Sequence, residues 1–176
     1  MEMKEFYYEN GIRVSLFNLD HRAVPYHFHQ SVSDMIYCAK GAINIELPDK
    51  HQIYHVPLGE VFQIPSKLKH RFANAMEPGM PSRYVLMQLG EFDIEFVKNN
   101  KKMDALLEGA THFDYQQTDV YIENRKQDIL ALVEQFAANK PEVLDEEELN
   151  DVLTALKLFA TQGVEARFPE NTLESA

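Results

Sequence analysis

HFHQSVSDMIYCAKG (residues 27–41) and GEVFQIPSKLKHRFAN (residues 59–74) are the two stretches that decide how this chain folds. His27 and His29 stand two residues apart, which on a strand turns both imidazoles to one face. Asp34 and His70 could complete a four-ligand set. Three neutral imidazoles and one carboxylate suit a borderline divalent ion such as zinc, nickel, iron(II), copper or manganese. Calcium and magnesium prefer shells made of oxygen and are poorly served. Asp34 lies an odd number of residues from His27, so a regular strand points it the other way, and a turn or bulge at Gln30–Ser33 has to restore its direction. The alternative use of the same residues is a set of hydrogen-bonded interior histidines lining a pocket for an organic ligand.

Working outward, the first two thirds of the chain read as short strands. Lys4–Tyr8 and Ile12–Phe17 flank Asn10-Gly11, a dipeptide suited to a tight hairpin. Met35–Ala39 and Ala42–Leu47 flank Lys40-Gly41; Gln52–Val56, Glu60–Ile64, His70–Ala73 and Tyr84–Leu89 follow, with glycine and proline between them. Strands at this spacing suggest a barrel or a sandwich.

After Gly90 the pattern changes. Residues 91–109 are ambiguous, with room for one short helix. From Tyr121 to Ala138, the residues Ile122, Ile129, Leu132, Val133 and Phe136 form an apolar stripe at helical spacing. A second helix starts at Asp145, with Glu148 completing a capping box and Leu144 and Leu149 placed as a hydrophobic staple. Leu149, Val152, Leu153, Leu156, Phe159 and Ala160 line one face, and Gly163 sits where a C-terminal cap belongs. Pro141 separates the two helices into a hairpin. The stripes serve either to cover the barrel or to pair two subunits, and both uses bury the same type of surface.

The chain's 176 residues suit one domain with a substantial core. Its formal net charge of -11 repels phosphate backbones and anionic membranes, so direct nucleic-acid or membrane binding is not expected. The single cysteine, Cys38, allows no intrachain disulfide and is expected to be a buried, inert thiol. The start, Met-Glu-Met-Lys-Glu, lacks the features of a signal peptide, and no apolar stretch approaches a membrane span. The expectation is a soluble, cytoplasmic protein.

The two opening stretches resemble the paired signature motifs of the cupin superfamily. The first family motif is His-x-His, three or four residues, Glu, six residues and Gly; here it is His27-Phe28-His29, four residues, Asp34, six residues and Gly41. The second is Gly, five residues, Pro, then His and, four later, Asn; here it is Gly59, Pro65, His70 and Asn74. Two positions depart from the family. Asp34 stands where glutamate is usual, one methylene shorter, and Ser66-Lys67-Leu68-Lys69 fill a turn that ordinarily holds glycine. The resemblance implies a mainly β fold, the double-stranded β-helix (jelly-roll) barrel, with a C-terminal helical hairpin. It puts the barrel in residues 1–92 and a helical extension in 93–176. It also implies one divalent transition metal (zinc, nickel, iron or manganese) on His27, His29, Asp34 and His70.

The run from Gly59 to Phe72, followed by Thr111-His112-Phe113 as an irregular stretch and then two amphipathic helices, is similar to the sensing domain of AraC-type transcription regulators. That resemblance implies a small-molecule effector in the barrel and a homodimer. The thirteen residues after Gly163 leave no room for a DNA-reading half, so a chain ending there is not expected to regulate transcription by itself. A metal-dependent enzyme, a dioxygenase or isomerase, is the competing reading, and it needs a further ionisable residue inside the barrel to move protons. Glu46, Glu60 and Tyr37 are the candidates. His21, His51, His55 and His112 have no matching partners and read as surface or ordinary core residues. Asn74 reads as a turn-bonding residue.

Overall fold

Alternation within the strands produces two facing sheets. The structure, a computed structural model, describes residues 1–114 and 119–169; residues 115–118 and 170–176 of the 93–176 extension lie outside it. The strands are β1 (Glu2–Glu9), β2 (Ile12–Leu19), β3 (His27–Phe28), β4 (Ser33–Lys40), β5 (Ala42–Leu47), β6 (Gln52–Pro57), β7 (Val61–Ile64), β8 (Arg71–Asn74), β9 (Ser82–Leu89), β10 (Glu95–Phe96), β11 (Thr111–Asp114), β12 (Val120–Tyr121) and β13 (Gly163–Val164). The helices are α1 (Asn100–Leu106), α2 (Lys126–Ala138) and α3 (Glu146–Gln162). One sheet has the order β1-β2-β9-β4-β7 and the other β11-β6-β5-β8. A bridge between His27 and His70 joins the small β10-β3 sheet to β8. The result is a jelly roll of two stacked sheets rather than a continuously hydrogen-bonded ring.

On β2 the odd positions face inward: Phe17 and Leu19 meet Ile36, Cys38, Ile43, Ile45, Phe62 and Tyr84 between the sheets. The even positions face outward. Val14 and Leu16, with Met35, Tyr37, Val85 and Met87, lie beneath the helices and contact a cluster that includes Leu132, Phe136, Val152, Leu156 and Phe159. All eight residues of β9 are therefore buried, because the strand has protein on both faces. The hairpin of α2 and α3 covers the outside of the five-stranded sheet, so its apolar stripes are consumed within the chain. No helix of the described residues is long and apolar enough to cross a membrane.

Several sequence expectations hold in detail. The 91–109 stretch contains one short helix, α1. The Asp145–Glu148 capping box is complete, and Leu144 and Leu149 are buried together. Asn74 donates to the Met80 carbonyl and accepts from the Met76 N–H, as a turn-bonding residue should. Gly41 has φ +66, and a Cβ there would lie 2.9 Å from the Pro81 carbonyl oxygen. Cys38 is fully buried, and burial pushes its thiol up to about 11, so it is inert at neutral pH.

Three details differ. The first long helix begins at Lys126, not Tyr121: Glu123 and Asn124 adopt φ +51 and +59, which a helix cannot contain, and Tyr121 pairs with Val164. Thr111–Asp114 is not irregular but a strand lying parallel to β6. Gly163 is extended (φ -68, ψ 137) rather than a left-handed cap. It is small for a packing reason, since a Cβ would fall 2.3 Å from the Phe159 carbonyl oxygen and 2.7 Å from Ile122.

Glu148 ties α3 to the sheet. Its carboxylate accepts from Lys4 Nζ at 2.7 Å and Asn18 Nδ2 at 3.0 Å while completing the cap on Asp145 N. Burial works to raise this carboxyl, but the Asp145 N–H, Lys4 and Asn18 outweigh it and hold it at about 2, against an ordinary 4.5. A carboxyl depressed by folding stabilises above its unfolded value and loses that contribution as the pH falls through its folded value. Glu148→Gln is expected to cost about 1.5–3 kcal/mol at pH 6, the worth of hydrogen bonds to a charged group. The difference from wild type should shrink between pH 4.5 and 2. Urea denaturation across that range checks it; a pH-independent difference would remove the charge from the explanation.

Candidate metal centre

Backbone geometry sets the histidines side by side. His27 N–H donates to the His70 carbonyl at 3.1 Å and His70 N–H to the His27 carbonyl at 2.9 Å. Their ring centroids are 4.5 Å apart, and His29, two residues along on the same face, lies 5.1 Å from His27. The direction of Asp34 is restored where the sequence required it. Residues 29–32 leave the strand, and the Asp93 carboxylate accepts from Gln30 N–H at 2.7 Å and Ser31 N–H at 2.9 Å, pinning the turn. Asp34 then enters β4 opposite Gln88 and points between the sheets. In the turn that lacks glycine, Lys67 takes φ +71 itself and donates its N–H to the His29 carbonyl at 2.6 Å.

The four candidate ligands come together. All are buried, and their donor atoms lie within 4.8 Å of one another. The tautomer of each imidazole follows from its outer partner. Nδ1 of His27 faces the Pro25 carbonyl at 2.7 Å, that of His29 the Asp93 carbonyl at 2.6 Å, and that of His70 the Leu68 carbonyl at 2.8 Å. A carbonyl oxygen only accepts, so each Nδ1 carries the hydrogen and each Nε2 turns a lone pair inward. His29 and His70 thereby bring Nε2 to Asp34 Oδ2 at 3.2 and 2.7 Å. Those are contacts between acceptors unless a proton or a cation stands between them. A divalent ion satisfies three imidazoles and the carboxylate together, and the donor set fits such an ion.

Taken by itself, the cluster treats its members differently. Burial, with His70 alongside, pushes His27 down to about 4, leaving it a neutral donor at pH 7. Burial would raise the Asp34 carboxyl, but the His29 and His70 imidazoles set against it, which attract it when either carries a proton, hold it well below the ordinary carboxylate range. His29 is lowered by burial and raised further by Asp34.

Three contributors escaped the sequence reading. Gln88 donates Nε2 to Asp34 Oδ1 at 2.7 Å and accepts at Oε1 from Arg13 Nη1 at 2.7 Å, so its amide spans Arg13 and the cluster. Arg13 is buried, stacks over the Phe92 ring at 4.0 Å and pairs with Glu5. Asp93 orients His29 and the turn together. The available signal was polarity: Arg13 and Gln88 interrupt otherwise apolar strand patterns on inward-facing positions. Gln88→Leu is expected to weaken zinc binding about 10–100-fold, because it frees the carboxylate to turn away. Competition against a chelator of known affinity measures this, and an unchanged affinity would show that Gln88 does not hold Asp34.

A cavity of about 260 Å³ opens beside the cluster, with His27 and His29 in its wall and Phe17, Phe72, Tyr84 and Phe92 around it. The proton-moving candidates lie elsewhere. Tyr37 faces the helices, Glu46 is bound to Arg71 at 2.6 Å, and Glu60 does not line the cavity. His21, His51, His55 and His112 are outside the cluster, as expected.

Neither a family model nor a curated protein matches the sequence. Solved structures do show likeness. The polyketide cyclase RemF from Streptomyces resistomycificus is 22% identical, with 56% of this chain and 72% of that one covered at a TM-score of 0.46. A conserved protein with a double-stranded β-helix domain from Klebsiella pneumoniae is 13% identical over 54% of this chain and 82% of that one, TM-score 0.48. A cupin-2 domain protein from Shewanella frigidimarina is 15% identical over 50% and 79%, TM-score 0.42.

Proposed function

We propose that this chain, which folds as a cupin double-stranded β-helix, holds one divalent transition ion and binds a small molecule against it, in the manner of an effector-binding domain. The observation that carries the reading is the convergence of three inward lone pairs and one carboxylate beside an aromatic cavity. His27, His29, Asp34 and His70 would hold the ion, which would supply a Lewis-acidic contact for the occupant. The chain's own residues shape and dry the cavity and fix the ligands' tautomers.

A metal-dependent enzyme, a dioxygenase or isomerase, is the second reading. It is favoured by the position of His27 and His29 in the cavity wall, which turns the cluster towards whatever occupies the cavity. The binding reading is preferred because the candidate proton carriers Tyr37, Glu46 and Glu60 do not line the cavity. The similarity to AraC-type sensing domains, a cytoplasmic location and a homodimer belong to the same proposal. With the helix stripes spent on the sheet, one surface that offers itself for pairing is the open edge at β1, where Met3 and Tyr8 are exposed. Light scattering at about twice the 20.4 kDa chain mass would support the dimer, and a strict monomer would refute it.

Elemental analysis after loading with zinc, nickel, iron(II) or manganese tests the metal. One ion per chain, absent from the His27→Ala, His70→Ala double variant, is expected. Failure to retain any ion would overturn the reading.

A further inference from the structure

Arg13 is the guanidinium of the cavity wall, the other cation of the lining, the Met1 amino group, being paired with Asp20 at 2.7 Å. Its side chain is 10% exposed, one face lies on Phe92, and Gln88 occupies one of its N–H groups. Its counter-ion, Glu5, is 50% exposed at the cavity rim. A buried guanidinium is thus balanced by a carboxylate that water can take over, whereas a guanidinium has five N–H donors in a fork matched to carboxylate oxygens. Charge within the sheets points the same way. A divalent ion against the single Asp34 carboxylate leaves one positive charge, Arg13 adds another, and Glu5 offsets only one of them. An anion is the complement, and aromatic walls favour a flat ring as its body. A volume of about 260 Å³ lies below the roughly 300–1,000 Å³ of sites for drug-sized ligands, so the occupant is small.

We propose that the cavity takes a small planar aromatic carboxylate, its ring between the Phe17 and Phe92 sides and its carboxylate on Arg13 in place of Glu5. This rests on the reading of the interior as a metal and ligand site. Gln88 then connects the two halves of recognition, because the same amide touches Arg13 and the Asp34 carboxylate. Neutral rings lack the anion, and aliphatic acids lack the ring.

Calorimetric titration of the zinc-loaded full chain with benzoate and 1-naphthoate tests this, beside benzyl alcohol and cyclohexanecarboxylate. The aromatic acids should bind and the two comparison compounds should bind at least tenfold more weakly. Arg13→Gln should weaken the acids at least tenfold, and Glu5→Gln, which frees the guanidinium, should strengthen them several-fold. Opposite signs from two partners of one ion pair are not produced by a purely structural role. Because Glu5 is at the rim, its variant keeps the test decisive even if Arg13→Gln misfolds. Equal binding of benzyl alcohol, an effect of the same sign in both variants, or no binding of either acid would overturn the proposal. Zinc content measured on the same samples separates the two readings. A chain that holds zinc and ignores the acids refutes only the ligand class; one that binds the acids through Arg13 without zinc refutes only the metal.

Discussion

His70→Ala is expected to lower zinc affinity by more than about 100-fold, beyond the 10–100-fold cost of losing a supporting hydrogen bond. His70 carries two duties that no other residue duplicates. Its Nε2 stands 2.7 Å from Asp34 Oδ2, closer than the 3.2 Å of His29, and its backbone closes the bridge that places His27 alongside. Alanine keeps the backbone bridge and removes only the ring, so the fold should persist and circular dichroism should be unchanged. The loss should therefore appear in metal competition assays and not in the spectrum of the metal-free chain. His21→Ala and His55→Ala should bind zinc as wild type does, because both lie outside the cluster. Wild-type affinity in His70→Ala would mean that the ion, if bound, sits elsewhere.

Phe159→Ala is expected to destabilise the chain by about 3–5 kcal/mol, the usual cost of deleting a buried aromatic side chain. Phe159 is fully buried between α3 and the outer face of the five-stranded sheet, in one cluster with Val14, Met35 and Met87. Neighbours on a sheet and a helix cannot both collapse into the space, so most of the cavity persists. Val143→Ala, at a residue 52% exposed, should change stability by less than about 0.5 kcal/mol. Urea denaturation measures both. A cost below about 1 kcal/mol for Phe159→Ala would show that the helical hairpin is an appendage and that residues 1–92 stand alone; the expected cost makes the hairpin part of the same folding unit.

Spacing alone paired His27 with His29 on one face; Asp34 and His70 were legible as candidate ligands through the resemblance to the two cupin motifs. Strand existence was legible from alternation and from turn residues such as Gly41. Helix ends were less so. The true start at Lys126 depends on Tyr121 finding Val164, a partner more than forty residues away, and no local pattern reports that pairing. Asp34 shows the same limit: its parity was wrong for a strand, and only Asp93, supplied from across the structure, bends residues 29–32 to correct it.

By itself the sequence determined the β-rich class and the capping of α3, since these follow from short-range periodicity and from side-chain chemistry, and its resemblance to the cupin motifs named the four residues that converge. Tertiary structure alone decided three things. It placed the helix stripes against the sheet rather than against a second chain, a choice invisible to patterning because either partner buries the same apolar area. It fixed the protons of the three imidazoles through carbonyls at Pro25, Leu68 and Asp93, the last of them distant in sequence from its histidine. It also joined Arg13 and Gln88 to the cluster, because contacts between strands are set by register, and register is a property of the assembled sheet.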